Sequence, residues 1–178
     1  MKKPSVEAQL FEALAFAAHK HRAQRRKDVE ASPYINHPIA LARTLAVEGG
    51  VTDLKTLTAA VLHDTVEDTD TSFEEIAAMF GAKVADIVRE VTDDTKLEKA
   101  DRKRLQIEHA PHLSKRAALV KLADKTCNLR DVATSPPRGW PLERKRAYFD
   151  WAKAVIDELP PVNKRLRAAF DAAYSKRP

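Results

Sequence analysis

Apolar residues recur along most of the chain at the three- and four-residue spacing of one face of an α-helix. Leu10 and Leu14 follow this spacing near the start, and Leu54, Leu57 and Val61 follow it further along. No segment alternates with the two-residue period of a half-buried strand. Only four of the 178 residues are glycine, and strong helix formers dominate. The pattern therefore predicts an all-α fold.

Capping residues and helix breakers divide the chain into about eight to ten predicted helices. Ser72 begins a capping-box pattern that closes at Gly81, and Ser114 can cap a longer helix. We expect the first helix over 6–22, and a charged segment over 92–104 that leads into a short helix around 105–110. We predict one domain over 1–178, with a core over 6–159 and a C-terminal helix over 162–175.

The net charge and the cysteine content indicate which kind of partner the protein binds and in which cellular compartment it works. The net charge of +5 indicates an anionic partner, either a phosphorylated small molecule or nucleic acid. Aromatic residues make up only 6% and do not alternate with basic ones, which disfavours a single-stranded nucleic-acid platform. The lone cysteine, Cys127, indicates a reducing compartment. Because no apolar stretch suits a membrane span or a secretory signal, we expect a cytoplasmic protein.

The apolar stretch of the third predicted helix runs directly into ionisable residues. These are His63, Asp64, Glu67 and Asp68. Burying a charge without a partner costs several kcal/mol or more, so such an ending needs a compensating charge. A divalent cation is the simplest one, because it neutralises carboxylates and accepts imidazole nitrogen as a ligand. His63 and Asp64 are adjacent, so they can converge on one ion only from a helix end.

A second polar group lies on the helix that follows Ser114. Its members are Lys121, Asp124, Asn128 and Asp131, spaced to share one helix face. A charge stripe is usually a solvated face, but the apolar start of this helix and the asparagine favour a buried stripe lining a site. His37 precedes Pro38, which suits a first helical turn. Alone, His37 could be a cap and Asp124 a salt-bridge partner; their combination with the other groups indicates a metal site.

Several segments of the chain resemble a known family. The strings Tyr-Ile-Asn-His-Pro at 34–38 and Leu-His-Asp-Thr-Val-Glu-Asp-Thr at 62–69 carry the resemblance, together with 17–27, 91–94 and 120–131. An all-helical chain with this His…His-Asp…Asp order resembles the HD superfamily of metal-dependent phosphohydrolases. More narrowly, it is similar to the hydrolase domain of the RelA/SpoT family, in particular the stand-alone small alarmone hydrolases.

The resemblance implies a metal-dependent hydrolase. One ion, usually Mn²⁺ although another divalent metal is possible, would be held by four residues: His37, His63, Asp64 and Asp124. Glu67 and Asp68 match the pair that activates or orients the attacking water. The implied reaction removes the 3′-pyrophosphate of (p)ppGpp to give GDP or GTP and pyrophosphate. The long members of the family also carry a synthetase domain; we expect none here.

The resemblance also implies a set of substrate-binding residues. These are Arg26, Lys27, Lys99, Asn128 and Tyr148. The two basic residues after the first helix would lie against the nucleotide, Asn128 near its sugar, and Tyr148 against its phosphates or sugar. Lys99 falls where a phosphate-binding lysine is expected, but a shifted alignment would assign this role to Lys96. The alternative for the basic residues 25–27 is that they form an ordinary solvated loop with no role in binding.

Two alternatives remain open on the sequence. The same metal site could act on another nucleotide phosphate, such as the 2′-phosphate of NADPH, because one fold hosts many substrates. A basic helical module that binds nucleic acid would explain the net charge but not the six metal-site and catalytic candidates, so we expect no nucleic-acid partner. The residues do not predict the oligomeric state.

Overall fold

Ten α-helices make up most of the chain in the computed structural model, which describes residues 5–178 except for the side chain of Val6. Their bounds are α1 Val6–Lys20, α2 Asn36–Arg43, α3 Leu54–Leu62, α4 Thr65–Asp68, α5 Phe73–Phe80, α6 Ala82–Val91, α7 Lys99–His109, α8 Lys115–Thr134, α9 Leu142–Asp157 and α10 Lys164–Tyr174. A π-helical turn, Thr44–Glu48, continues α2, and a 3₁₀ turn, Ala110–His112, follows α7.

The prediction of an all-α fold is confirmed. Within residues 5–178 no strand forms, and an isolated backbone bridge joins Arg25 to Pro33. None of the helices in this range combines the length and apolar composition needed to cross a bilayer. Residues 1–4, which the predicted domain 1–178 includes, lie outside the described part.

Side-chain caps set several of the helix starts. The residues whose side-chain oxygen accepts a backbone N–H of the following helix are Ser5, Asp53, Ser72, Ser114 and Asn163. Such a cap contributes about 1 kcal/mol by satisfying an otherwise unpaired donor. Ser72 and Ser114 are the predicted starts of α5 and α8. Helix α10 begins at Lys164, two residues after the predicted start, because Asn163 caps it.

Helix α8 forms the centre of the fold. Its residues are buried without interruption from Ala117 to Cys127, and α2, α3, α6, α9 and α10 all pack against it. The largest fully buried side chains include Phe149 of α9 and Phe170 of α10. The core therefore surrounds α8 on most sides, which places Asp124 in the interior, where its charge requires compensation.

The predicted start of α7 was wrong. The charged segment predicted over 92–104 is already helical from Lys99 onward. Helix α7 has no buried residue, so it lacks the apolar stripe by which a helix is detected in a sequence. It is held instead by α9, where the Trp151 Nε1–H donates to the Lys103 carbonyl over 3.0 Å. The first helix also ends early, at Lys20.

Helix α10 packs against the π-helical turn Thr44–Glu48 and Gly49, which follow α2. A Cβ on Gly49 would lie 2.8 Å from Leu166 Cγ, so only glycine allows this close approach. The Asn163 side chain donates to the Gly49 carbonyl over 2.9 Å, and Arg165 donates to the Val47 carbonyl over 3.2 Å. These contacts hold the π-helical turn that continues α2, while α2 itself, whose first turn carries His37, packs against α3 and α8.

Candidate metal centre and active site

Four helices bring the predicted metal ligands together. His37 lies in the first turn of α2, His63 caps the end of α3, Asp64 precedes α4, and Asp124 lies in the middle of α8. His37 Nε2 is 3.2 Å from Asp124 Oδ1, and His63 Nε2 is 2.8 Å from Asp64 Oδ2 and 3.9 Å from Asp124 Oδ1. One ligand atom each of His37, His63 and Asp124 lie within 4.8 Å of one another. Three distant stretches of sequence thus converge on one point.

The orientation of His63 fits a metal ligand. Its Nδ1 lies 2.8 Å from the Ala60 carbonyl, which can only accept a hydrogen bond, so Nδ1 carries the proton. In the neutral ring the lone pair of Nε2 then faces the carboxylates, and within residues 5–178 the close approach of this buried nitrogen to Asp64 Oδ2 does not have the geometry of a hydrogen bond. A metal-binding histidine typically donates its other N–H to a carbonyl in this way. The donor set therefore fits a divalent cation.

The carboxylate ligands are also held by neighbours. The Tyr34 hydroxyl donates to Asp64 Oδ2. Asn128 Nδ2 donates to Asp124 Oδ1 over 2.6 Å, and the Lys125 ammonium lies 3.3 Å from Asp124 Oδ2. These contacts orient oxygen atoms that would otherwise rotate freely.

The charges of this cluster favour a cation. Burial opposes protonation of His63, but the negative charges of Asp64 and Asp124 outweigh it and raise the pKa of His63 to about 9. The neighbouring histidines and Lys125, against the cost of burial, keep the pKa of Asp124 well below its usual range. The carboxylates thus stay ionised, and their buried negative charge must be neutralised by a nearby positive charge. A proton on His63 or a metal ion can supply it.

The predicted catalytic pair lies on the single turn of α4, in two different environments. Glu67 is partly buried; its Oε2 accepts the Asp93 N–H over 3.1 Å, and its Oε1 lies 3.6 Å from Arg102 Nη1. Burial, helped by the charges of Asp64 and Asp93, raises the pKa of Glu67 to about 7. Asp68 is exposed, and its Oδ2 accepts from Gln24 Nε2 over 2.8 Å.

A cleft of about 620 Å³ opens next to these groups. The predicted site residues that line it are Arg26, Lys27, His37, Asp68, Asn128 and Tyr148. Asp64 adjoins it through its contact with Tyr34, and Asp124 adjoins it through His37 and Asn128. Lys99 is not among the lining residues. The cleft therefore joins the metal-ligand cluster to most of the predicted substrate-binding residues.

Basic and aromatic side chains border this cleft. Tyr148 packs between Trp140 and Trp151, with ring centroids 5.6 and 5.4 Å away. Burial raises the pKa of Tyr148, so its hydroxyl stays protonated and can donate a hydrogen bond. Burial and the positive charges of Arg144 and Lys27 lower the pKa of Lys99, which places Lys99 beside a group of cations.

The polar stripe of α8 divides between two surfaces. Asn128 and Asp131 line the cleft, and Asp131 Oδ2 lies 2.5 Å from Arg26 Nη2. Lys121 instead donates to the Val91 carbonyl over 3.1 Å and lines a separate cleft beside α7. The expectation that the whole stripe lines one site was therefore wrong at Lys121, because the helix turns this residue toward α6.

Several residues that contact the predicted site residues were not predicted, and three of them contact the carboxylates of the metal and catalytic candidates. Tyr34 binds Asp64, Gln24 binds Asp68, and Arg102 lies beside Glu67. Gln24 and Tyr34 stand within the family-like segments, but a polar residue in a loop carries no spacing signal that reveals its partner. Arg102 lies on the unpredicted part of α7.

Comparison with known proteins places this geometry in a family. The HD domain family model matches residues 13–147. The chain is 54% identical over 173 residues to the Mus musculus protein named guanosine-3′,5′-bis(diphosphate) 3′-pyrophosphohydrolase, covering 97% of each chain. It is 52% identical over 170 residues to the Drosophila melanogaster protein of that name, covering 96% of this chain and 95% of that one.

A solved structure agrees with these relatives. It is described as a metazoan ortholog of SpoT that hydrolyzes ppGpp and plays a role in starvation responses. Its TM-score to this chain is 0.93 at 51% identity, covering 99% of this chain and 98% of that one. The chain therefore belongs to the HD domain family, in the group that contains the metazoan guanosine-3′,5′-bis(diphosphate) 3′-pyrophosphohydrolases.

Proposed function

We propose that this chain is a Mn²⁺-dependent hydrolase that removes the 3′-pyrophosphate of (p)ppGpp, giving GDP or GTP and pyrophosphate. The convergence of His37, His63 and Asp124 beside a cleft with basic walls is the observation that carries the proposal. The relatives named for this reaction match the chain over nearly its whole length.

His37, His63, Asp64 and Asp124 would hold the cation. Two imidazoles and two carboxylates, with no thiolate, suit borderline and hard ions such as Mn²⁺. The Cys127 thiol does not join them; its Sγ lies 3.5 Å from the Thr44 hydroxyl. When bound, a divalent cation at this position supplies Lewis-acid polarisation of a phosphoryl oxygen and lowers the pKa of water.

Glu67 and Asp68 provide the proton chemistry in this proposal. With its pKa near 7, Glu67 is ionised in a large fraction of molecules at neutral pH and still basic enough to accept a proton from water. Asp68, on the wall of the cleft, orients the water or the substrate. The Asp93 N–H holds one Glu67 oxygen in place, so the carboxylate does not have to reorganise during the reaction.

The basic border binds the phosphates. Lys27 is exposed, and no acidic side chain lies within ion-pair distance of it among the described residues. Arg26 is already paired with Asp131, so a phosphate must share this guanidinium. Lys99 is favoured for a phosphate contact because the positive charge of Lys27 is among those that lower the pKa of Lys99. Asn128 and Tyr148 line the same cleft and offer donors to a sugar or phosphate.

We also infer a cytoplasmic location and no nucleic-acid partner. The free and buried Cys127 supports a reducing compartment. A binding surface for a nucleic-acid backbone needs basic residues and gives no reason for two histidines and several carboxylates to converge at the cleft, so no nucleic-acid partner is inferred.

The reaction is tested by ³¹P NMR of ppGpp incubated with the protein. We expect GDP and pyrophosphate in the presence of Mn²⁺, no turnover with EDTA, and recovery when Mn²⁺ is restored. Parallel samples with Mg²⁺ or Zn²⁺ test the choice of metal. Release of orthophosphate from NADPH without cleavage of ppGpp would favour the alternative substrate and contradict the proposal.

A further inference from the structure

We propose that Gln24 is a positioning residue for Asp68, and that His21 sets the orientation of the Gln24 amide. The inference rests on the proposed function, because Asp68 is a catalytic candidate only if the reaction occurs at this site. Gln24 lies in the loop after α1 and lines the cleft. Its Nε2 lies 2.8 Å from Asp68 Oδ2, across 44 positions of sequence.

Asp68 needs such a partner. It is exposed and ends a helix of only four residues, so its own element gives it little restraint. Gln24 is the side chain that donates to its carboxylate within residues 5–178. An unrestrained carboxylate samples several rotamers, and a misplacement of about 1 Å can cost on the order of 100-fold in rate. The Gln24 contact removes this freedom on the side of the cleft.

The direction of each hydrogen bond follows from the chemistry of the three groups. The ionised Asp68 carboxylate can only accept, so Gln24 must present its amide nitrogen to it. Gln24 Oε1 then faces His21 Nδ1, at 2.5 Å, and this nitrogen must carry a proton. The chain of donation therefore runs from His21 through Gln24 to Asp68, and it excludes the flipped amide.

His21 is itself rigid. Only 2% of its surface is exposed, and its ring lies 4.8 Å from the ring of Tyr34. Because the Tyr34 hydroxyl donates to Asp64, the loop after α1 orients both a predicted metal ligand and a catalytic candidate. The hydrogen bond and ring contact of the buried histidine are made to Gln24 and Tyr34, so its effect on the two carboxylates passes through these residues.

The test uses four variants of the full chain, of which the two at His21 form a matched pair. Gln24→Leu removes the donor at similar size, and we expect kcat for ppGpp to fall about 10- to 100-fold with KM nearly unchanged. His21→Leu should lower kcat similarly, whereas His21→Asn, which keeps a donor at the Nδ1 position, should restore most of it. His19→Leu, on the exposed face of the same helix end, is the control and should behave as wild type.

A second readout does not depend on turnover. In the metal-free protein, the Gln24 side-chain amide resonances should shift in Asp68→Asn and in His21→Leu but remain in place in His19→Leu. Wild-type kcat in Gln24→Leu, equal loss in His21→Asn and His21→Leu, or unmoved Gln24 resonances would overturn the inference. If Gln24→Leu does not fold, the His21 pair decides. If the wild type does not cleave ppGpp, the proposed function fails, and the resonance shifts still test the contact.

Discussion

The metal-ligand cluster and the basic border of the cleft are built in opposite ways. His37, His63 and Asp124 are buried, and helices that pack around α8 hold them. Lys27 lies in a loop that lines the cleft, and Lys99 lies outside the lining, at the first position of α7; both side chains are exposed. A buried ionised group must be matched by other charges, whereas an exposed lysine stays hydrated. We therefore expect changes in the cluster to affect metal binding and kcat, and changes in the border to affect KM.

The largest effect is expected for Asp64→Ala. Removing this ligand takes away a negative charge that holds the cation, so bound Mn²⁺ should be lost and turnover should fall to background. The expected loss of turnover exceeds the ~10²- to 10⁴-fold contribution of a general base to the rate. Metal content by mass spectrometry and the rate of GDP release measure both effects. Asp86→Ala, on the exposed face of α6, is the control; full metal content and activity in Asp64→Ala would remove Asp64 from the ligand set.

Glu67→Gln should separate catalysis from metal binding within the buried region. The substitution keeps the size and the acceptor for the Asp93 N–H but removes the base, so we expect kcat to fall about 10²- to 10⁴-fold while Mn²⁺ content is retained. Glu74→Gln on the exposed side of α5 is the matched control. An unchanged kcat in Glu67→Gln would exclude Glu67 from the mechanism.

The buried region should also determine the pH dependence. Since the pKa of Glu67 is raised to about 7, the group loses its charge as the pH falls through that value. If the carboxylate is the base, kcat/KM should fall on the acid side, by up to about tenfold between pH 8 and pH 6. A bound cation favours the ionised form and moves this limb to lower pH. Carbon-13 NMR of the metal-free protein measures the midpoint, and one near the ordinary value of 4.5 would contradict the prediction.

Lys27→Met tests the other side of the comparison. Loss of one charge contact to phosphate is worth about 1.5 kcal/mol or more, so KM for ppGpp should rise about tenfold with little change in kcat. The effect should shrink at high salt, because an exposed charge is screened. A wild-type KM would mean that the basic loop is only solvated, and a large loss of kcat would break the distinction between border and cluster.

The smallest expected effect is a change in KM that distinguishes Lys99 from Lys96 as the lysine that contacts the phosphates. Lys99 lies close enough to Lys27 and Arg144 for their charges to lower its pKa. We therefore expect Lys99→Met to raise KM a few-fold, about 1 kcal/mol or less for a partly exposed charge, and Lys96→Met to leave KM unchanged. The reverse result would support the shifted alignment of this segment.

The fold was predictable wherever an apolar stripe or a cap marked a helix. Ser72 and Ser114 predicted the starts of α5 and α8, and the burial of α8 agrees with its apolar start. Helix α7 was not predictable over its first half because its stability comes from contacts with α9. Propensity and periodicity describe a segment alone, while tertiary contacts decide marginal cases.

The candidate site was predictable in its residue types and not in its connections. Asp64 stood out because it follows an apolar helix, and the structure places it 2.8 Å from His63 Nε2. The partners that orient these groups, such as Gln24 and Tyr34, act across 44 and 30 positions of sequence. No spacing rule for helices reaches that far, so these contacts appear only once the chain is folded.

The contact between Asn163 and Gly49 has a consequence for biosynthesis. These residues are 114 positions apart, so the ribosome must add that length of chain before α10 can fasten the segment that carries His37. Until then this ligand lies on a helix that can pack against α3 and α8 but lacks the support of α10 at its far end. Truncation before Asn163 should therefore weaken cation capture at a point far from the deletion, and cotranslational loading is expected only after the last helix emerges.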